Sequence, residues 1–543
     1  MTDAKCETTL NANWQLFLDD WAVARSTGFD RVVHSPQPKG VVIPADRPWE
    51  TRAAVPMYVW RDEAGTFHAL YNALWWDDKV AEENSSPGVR LDRAHWSRGS
   101  VGYAVSADGL HWEKPDLGLV DGPAETDRSG VVPQPRGTTR KNNIGLPIGF
   151  IRDLHLYGNV NDPKKRFAVR PGIWEITQAD PAKAYFAETM PDFLHDPDWR
   201  SKLIDSGGSF NPRRRTLHFW DGVNEEWVAM DQGVGPNWLP SREIARYASK
   251  DLKRWYGLSA LYPDAADPHR PEQYDEPMHM IPFHADGVVL GLLAWYYSDR
   301  TDPLGGPTFT DTTKPCGHPD NWPWARKGHG GTRITLSRDG GKTWDRTASR
   351  VDWISPGPTD DSPDRIAWPD CPPVYVGDED WFYMTAYNGN HLPFCADEKQ
   401  TPYHSNRMAV GQTVLYTQKH NRYVSLSAGL RVETLITRPF RLGGGELQLN
   451  VNASRGQVRV ALAEAIPTPI LANAPAIAPH FYSRTLLEGF SLDDCEPIRA
   501  DGVAQPVRFH GSDIETLKGK TVYVVIEALN ADLFGLRAVH TKD

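Results

Sequence analysis

The stretch Ser337 to Trp344, reading Ser-Arg-Asp-Gly-Gly-Lys-Thr-Trp, constrains this chain more than any other. Ser and Asp side chains in such a run bond their own backbone. The glycines supply conformational freedom and the Trp packs beneath, so the stretch reads as a corner between two strands. Looser copies run from Ser106 to Trp112 and from Ser249 to Trp255. A fourth, Asp221-Gly222 with Trp227 behind it, lacks the leading Ser. A corner that recurs along a strand-rich chain predicts a repeated blade.

Alternating apolar residues place the strands around these corners. Ala54 to Trp60 and Phe67 to Leu74 form a hairpin, and Val101 to Val105 leads into the first corner. A second blade is expected from Asn143-Ile144-Gly145 to Val169, and a third over Thr216 to Met230 and Glu243 to Trp255. The fourth runs from Tyr274 through Val288–Tyr297 to Trp344, and the fifth from Ile366 to Tyr387. A strand from the N-terminal segment is expected to close the ring. Polar insertions fall at 77–99, 178–207 and 300–330, the second expected to carry short helices. Beyond about residue 415 Trp disappears and short alternating strands follow, such as Glu446 to Asn452, Gln457 to Leu462 and Val522 to Leu529. That texture predicts an antiparallel sandwich of about eight strands. The expected fold is therefore all-β, a five-bladed β-propeller over 1–415 with an N-terminal lead-in strand, followed by a β-sandwich over 416–543.

A net charge of −11 argues against nucleic acid or an anionic membrane as partner. The five Cys are scattered, with no CxxC pair and no disulfide framework, and the N-terminus lacks an apolar segment. A reducing, cytoplasmic setting is expected. No organic cofactor is implied, and no Asp-rich loop has the spacing of a calcium site. Oligomeric state is left open, a homo-oligomer included.

Several stretches together resemble glycoside hydrolase family 32-like proteins: Leu16 to Asp20, Pro48-Trp49-Glu50, Ser106 to Pro115, Ile244 to Asp251, Tyr423 to Asn450, and Ala531 to Phe534. The resemblance spans nearly the whole chain. It implies kinship with the five-bladed propeller hydrolases typified by invertase, levanase and arabinanase, with a trailing β-sandwich, and a small carbohydrate as substrate. The invertase-type motifs are not intact. Arg152-Asp153 is followed by Leu154 where the motif has Pro, and Asp494-Cys495-Glu496 has Cys and Glu in the wrong order. A sugar other than fructose is therefore expected.

Glycoside cleavage needs one carboxyl group to protonate the leaving oxygen and another to activate water or attack carbon. In a propeller the inner strands line a central funnel, so carboxylates at their starts are the candidates. These are Glu50, Asp153, Asp275, Glu276 and Asp370. Glu276 is favoured as acid, with Asp275 beside it on the opposite strand face. Glu50, Asp370 and Asp153 are the candidate bases. Asn211 opens the third blade, where an amide can hold a sugar hydroxyl. Arg52, His279, His329 and Arg333 are further candidate contacts, and Trp238 and Trp322 sit in Pro-rich loops as candidate sugar platforms. The reading is an exo-acting glycosidase on a small oligosaccharide or glycoside. The alternatives are a sugar-binding propeller without catalysis, a sialidase-like hydrolase using Tyr274 near Glu276, and transglycosylation or phosphorolysis on similar carboxylates.

Overall fold

Among the described residues, strand pairing sorts the N-terminal three quarters of the chain into five antiparallel blades and a separate two-stranded ribbon, Gly122–Asp127 with Gln134–Thr139. The computed structural model describes residues 8–77, 79, 97–129, 133–147, 153–155, 167–170, 183–187, 196, 198–202, 204–209, 219–234, 242–264, 266–267, 275–298, 328–359, 362–388, 410–465 and 485–540. Blade 1 holds Ala53–Arg61, Phe67–Trp76, Ser97–Ser106 and, outermost, Ile144–Pro147. Blade 2 holds Asp153–His155, Phe167–Arg170, Lys183–Ala187 and Ile204–Ser209. Blade 3 holds Phe219–Asp221, Glu226–Val234, Arg242–Ser249 and Tyr256–Leu261. Blade 4 holds Asp275–Ala285, Val288–Ser298 and Gly328–Ser337, with an outer bridge from Leu336 to Asp345. Blade 5 holds Ile366–Pro369, Glu379–Tyr387 and Gly411–Lys419, and its outer strand is Gln37–Ile43 from the N-terminal segment. The fold is all-β, a five-bladed propeller followed by a sandwich, and an N-terminal strand does close the ring.

The recurring corner occupies the same place in blades 1, 3 and 4, between the third strand and the outer segment. Asp108, Asp251 and Asp339 each accept the backbone N–H groups two to four residues ahead, at 2.8–3.1 Å. In each corner the Trp indole N–H returns to a backbone carbonyl, at 3.0 Å for Trp112, 3.2 Å for Trp255 and 3.1 Å for Trp344. The residue with positive φ is Gly109 in the first corner, and both Gly340 and Gly341 have it in the third. In the second it is Leu252, at φ +59°, a conformation costing a non-glycine residue about 1–2 kcal/mol. Burial of Leu252 among Trp220, Trp227 and Trp255 offsets that strain. The fourth copy, around Asp221, turns the first hairpin of blade 3 instead.

Asp339→Ala is expected to destabilise the protein by roughly 1–3 kcal/mol through lost hydrogen bonds to a charged acceptor. The shift in urea midpoint checks this. Burial raises the Asp339 pKa, but donors from Thr343, Ser337 and Lys342 outweigh it and hold the pKa below its ordinary 3.8. The contribution is therefore present above that value and fades as pH falls through the folded pKa.

The observed pairing departs from the expected division in three places. Asn143–Gly145 does not open blade 2, because Ile144–Pro147 pairs with the third strand of blade 1. Within 178–207, the short 3-10 turn Trp199–Lys202 is accompanied by two blade strands, Lys183–Ala187 and Ile204–Ser209. Finally, residues 8–33 do not lead into the propeller. Thr8–Leu10, Gln15–Leu16, Val23–Thr27 and Asp30–Val33 all pair with C-terminal strands. Gly411–Lys419 belongs to blade 5, so the sandwich resumes at Val424–Ala428.

Among the described residues the sandwich thus has two six-stranded sheets, with eight strands from the C-terminal region and four from the N-terminal one. Its core includes Leu435, Leu449, Val460, Val524, Ile526 and Leu536, all at 0–1 % exposure. A second cluster joins the two domains, with Trp14, Leu16 and Leu18 packed among Phe283, Leu290, Trp353, Phe382 and Tyr423. Arg338, inside the blade 4 corner, grips Asp19 through two bonds of 2.7 and 2.9 Å and lies over the Trp21 ring.

Candidate active site

Parallel contacts of Gly411 with Ala53 and of Gly330 with Ile366 bring blade 5 against the inner strand of blade 1 and the third strand of blade 4. The approach at Gly330 is close. A Cβ there would lie 2.2 Å from the Trp368 indole nitrogen, so only glycine lets Trp368 enter. Trp368 meets Tyr296 and His279 edge-on. The His279 Nε2 lies 2.6 Å from the Pro369 carbonyl oxygen and 3.5 Å from Asp370 Oδ1. Because a carbonyl only accepts, Nε2 carries a proton there. The Thr385 hydroxyl donates to Asp370 Oδ2 in a very short hydrogen bond. His279 is buried, while the Asp370 side chain keeps 28 % of its exposure. Burial raises the pKa of the Tyr387 hydroxyl. Arg52 lowers it and Asp370 raises it, so both charges act on Tyr387.

Glu276 stands three residues before His279 on the same strand. Its Oε1 accepts from the Arg242 guanidinium at 2.6 Å and its Oε2 from the Arg242 backbone N–H at 2.8 Å. The Glu276 side chain is 13 % exposed. Gln232 donates to the Met278 carbonyl at 2.8 Å, tying blade 3 to the same strand. Asp275 is registered opposite Tyr297, and Glu276 opposite Tyr296, so the two carboxylates face opposite sides as the strand period requires.

Glu50 lies elsewhere. It ends the 3-10 turn Pro48–Glu50 and is 0 % exposed. Its oxygens take the Tyr71 hydroxyl at 2.5 Å, Lys114 Nζ at 2.7 Å and the backbone N–H groups of Asp46 and Arg47 at 3.0 and 3.1 Å. Oε2 takes three of these donors and Oε1 the fourth, so the fully buried carboxylate is held inside the wall of blade 1. Burial raises its pKa, with Lys114 and Tyr71 opposing. Arg52 is not the ion-pair partner that the short sequence separation suggests. It lies over the Trp76 ring at 4.8 Å.

Arg333 is also absorbed into the wall. It is 2 % exposed, stacks on Trp295 at 4.0 Å and contacts Asp267, Asp352 and the Tyr297 hydroxyl. His329 stacks on Tyr297, with Arg365 at 3.1 Å from Nδ1. For Asp153 the backbone alone is described, as the first residue of blade 2. Asn211, Trp238, Trp322 and Tyr274 lie outside the described residues. Among the described residues no group of three or more His, Cys, Asp or Glu could hold a metal ion.

The structure therefore brings His279 to Asp370, sets both Arg52 and Asp370 near Tyr387 and places Glu276 three residues before His279 on one strand, and it adds Trp368, Thr385, Tyr387 and Arg242. The first two of these additions lie within a few residues or one strand pairing of Asp370, so its neighbours were the available signal. Arg242 carries none, because an arginine before a strand is common.

No protein-family model matches the chain, and no curated protein matches it in sequence. Solved structures similar to it include a glycosyl hydrolase from Bacteroides ovatus, at 12 % identity, 74 % of this chain, 96 % of that one and a TM-score of 0.35. An N-acetylgalactosamine deacetylase from F. plautii, in complex with blood group B trisaccharide, matches at 13 % identity, 77 % and 96 % coverage and a TM-score of 0.34. A β-1,2-mannobiose phosphorylase from Listeria innocua matches at 10 % identity, 72 % and 90 % coverage and a TM-score of 0.33.

Proposed function

We propose that the protein is a carbohydrate-active enzyme of the glycosidase type, acting in exo fashion on a small oligosaccharide or glycoside. In this reading Asp370 is the base and Glu276 the acid. The observation that carries it is His279, which sets Asp370 against the strand that carries Glu276. It shares a strand with Glu276 and reaches Asp370 across the blade boundary, at 3.5 Å. Glycoside cleavage needs such a pair flanking the scissile bond. Tyr387, half-buried, would offer aromatic surface to a sugar, and Arg52 a donor to its hydroxyls. No helix of the described residues is long and apolar enough to cross a membrane. We place the enzyme in the cytoplasm, as the scattered cysteines suggest.

The test is a screen of aryl glycosides, including arabinofuranosides, fructosides, fucosides, galactosides and sialosides. Wild type is compared with Glu276→Gln. Turnover that falls at least about a hundredfold in Glu276→Gln supports the acid role, and equal turnover in both removes it. The second reading is a sugar-binding propeller without catalysis. It is favoured by Arg242, which holds both Glu276 oxygens. A sugar that raises the melting temperature while no glycoside is cleaved would select it.

A further inference from the structure

The seam between propeller and sandwich contains a histidine whose proton state dictates the hydrogen bonds of its neighbours. His420 Nδ1 lies 2.6 Å from Asp380 Oδ1, and Asp380 is 0 % exposed. Asp380 Oδ2 accepts from the Tyr423 hydroxyl at 2.6 Å and the Asn421 backbone N–H at 3.1 Å. On the other side of the ring, Asn421 Nδ2 lies 3.0 Å from His420 Nε2 and 2.7 Å from Asp286 Oδ2. An amide nitrogen only donates, so Nε2 accepts in this arrangement and the imidazole is neutral, its proton on Nδ1. Turning the amide over would set its oxygen against Asp286 Oδ2, which fixes the present orientation. The Asn421 Oδ1 is buried without a hydrogen-bond partner. Asp286 in turn accepts the Trp14 backbone N–H at 3.1 Å, from the N-terminal segment of the sandwich.

A second proton cannot enter this arrangement unchanged. Protonated Nε2–H would point at the Asn421 amide nitrogen, donor against donor. The amide must turn over to offer its oxygen, and its hydrogen bond to Asp286 is then lost. We propose that His420, Asn421 and Asp286 form a proton-operated latch between propeller and sandwich. With His420 neutral, Asn421 bridges His420 to Asp286. With His420 charged, Asn421 turns to the imidazolium and releases the Asp286 hairpin that holds Trp14.

The groups facing His420 place this change above pH 6.5. Burial lowers its pKa, but Asp380 on blade 5 and Asp286 on blade 4 outweigh burial and Arg537 of the sandwich, so the pKa stands above the ordinary 6.5. Tyr375 meets the ring edge-on at 5.4 Å. The flanking Lys419 and Arg422 both turn away to Asp501. The ion pair with Asp380 thus stabilises the fold fully below pH 6.5 and is lost as pH rises through the folded pKa, whereas the Asn421–Asp286 bridge has the opposite dependence.

The test is amide hydrogen exchange on the full chain at pH 6 and pH 8, corrected for intrinsic exchange rates. Peptides carrying Trp14 and residues 284–288 should exchange about fivefold faster at pH 6, as one lost hydrogen bond implies. A sandwich-core peptide covering 458–462 should not change. In His420→Gln the pH difference at Trp14 should vanish. Equal protection at both pH values, or a difference that survives in His420→Gln, overturns the latch. If that variant fails to fold, histidine and asparagine side-chain resonances of the wild type decide. A shared titration midpoint for His420 and the Asn421 amide supports coupling, and separate behaviour overturns it.

Discussion

Glu50→Gln is expected to destabilise the protein by about 1–3 kcal/mol, because an amide nitrogen would replace one of two oxygens that accept only from donors, Lys114, Tyr71 and the Asp46 and Arg47 N–H groups. Lys114 is 4 % exposed and Glu50 fully buried, so the amide would leave a buried ammonium with only the Pro44 carbonyl and Asp46 to face. The companion change Lys114→Met, combined with Glu50→Gln, should recover most of the loss, because an apolar side chain of similar length needs no counter-charge. Urea midpoints of the two single variants and the double variant form the cycle. The pH profile carries a second signature. Burial raises the Glu50 pKa above its ordinary 4.5, so its contribution is full below that value and shrinks as pH rises through the folded one. Glu50→Gln should erase this slope. A variant that is fully stable yet loses all turnover would return Glu50 to the catalytic candidates.

Asp370→Asn carries the largest expected effect on activity, a fall in kcat of about 10²–10⁴-fold with little change in KM. The amide keeps the shape of the group and its contact with Thr385, so the fold should be untouched while proton acceptance is lost. Thr385 is read as a positioning residue, since it fixes one oxygen of Asp370. Thr385→Val should lower kcat by about tenfold, and Thr385→Ser, which keeps the hydroxyl, should restore it. Full kcat in Asp370→Asn, measured on whichever glycoside the wild type cleaves, would remove Asp370 from the mechanism.

The blades were legible because their signals are local. A Ser and an Asp that bond their own backbone, with a Trp six or seven residues after the Ser, form one corner whatever lies far away, and all three full copies behave alike. Strand alternation likewise placed Glu276 and Asp275 on opposite faces. What was not legible depended on partners distant in sequence. Leu16–Phe17–Leu18 reads as an apolar lead-in, and nothing near it reveals that its strand pairs with Leu536 and Gly535. Glu50 looked like a residue at the mouth of an inner strand. Its true partner, Lys114, comes 64 residues later. Arg333 failed in the same way, because Asp267 and Asp352 lie on either side of it in sequence and converge only in the folded blade.

The outer strand of blade 5, Gln37–Ile43, has a consequence for the order in which a ribosome releases this protein. The strands within residues 8–43 are made long before the strands they pair with. Residues 8–33 must wait for sandwich strands that end at Val539, and Gln37–Ile43 must wait for Gly411–Lys419. Blades 1 to 4 can collapse as they emerge, but the ring stays open until Gly411–Lys419 is made and the sandwich half-built until Ala531–Val539 is made. Pairings of such long range are slow to form and leave strand edges uncovered meanwhile. Cutting the chain at residue 415 would therefore yield neither domain, since the N-terminal piece carries four strands that belong to the other.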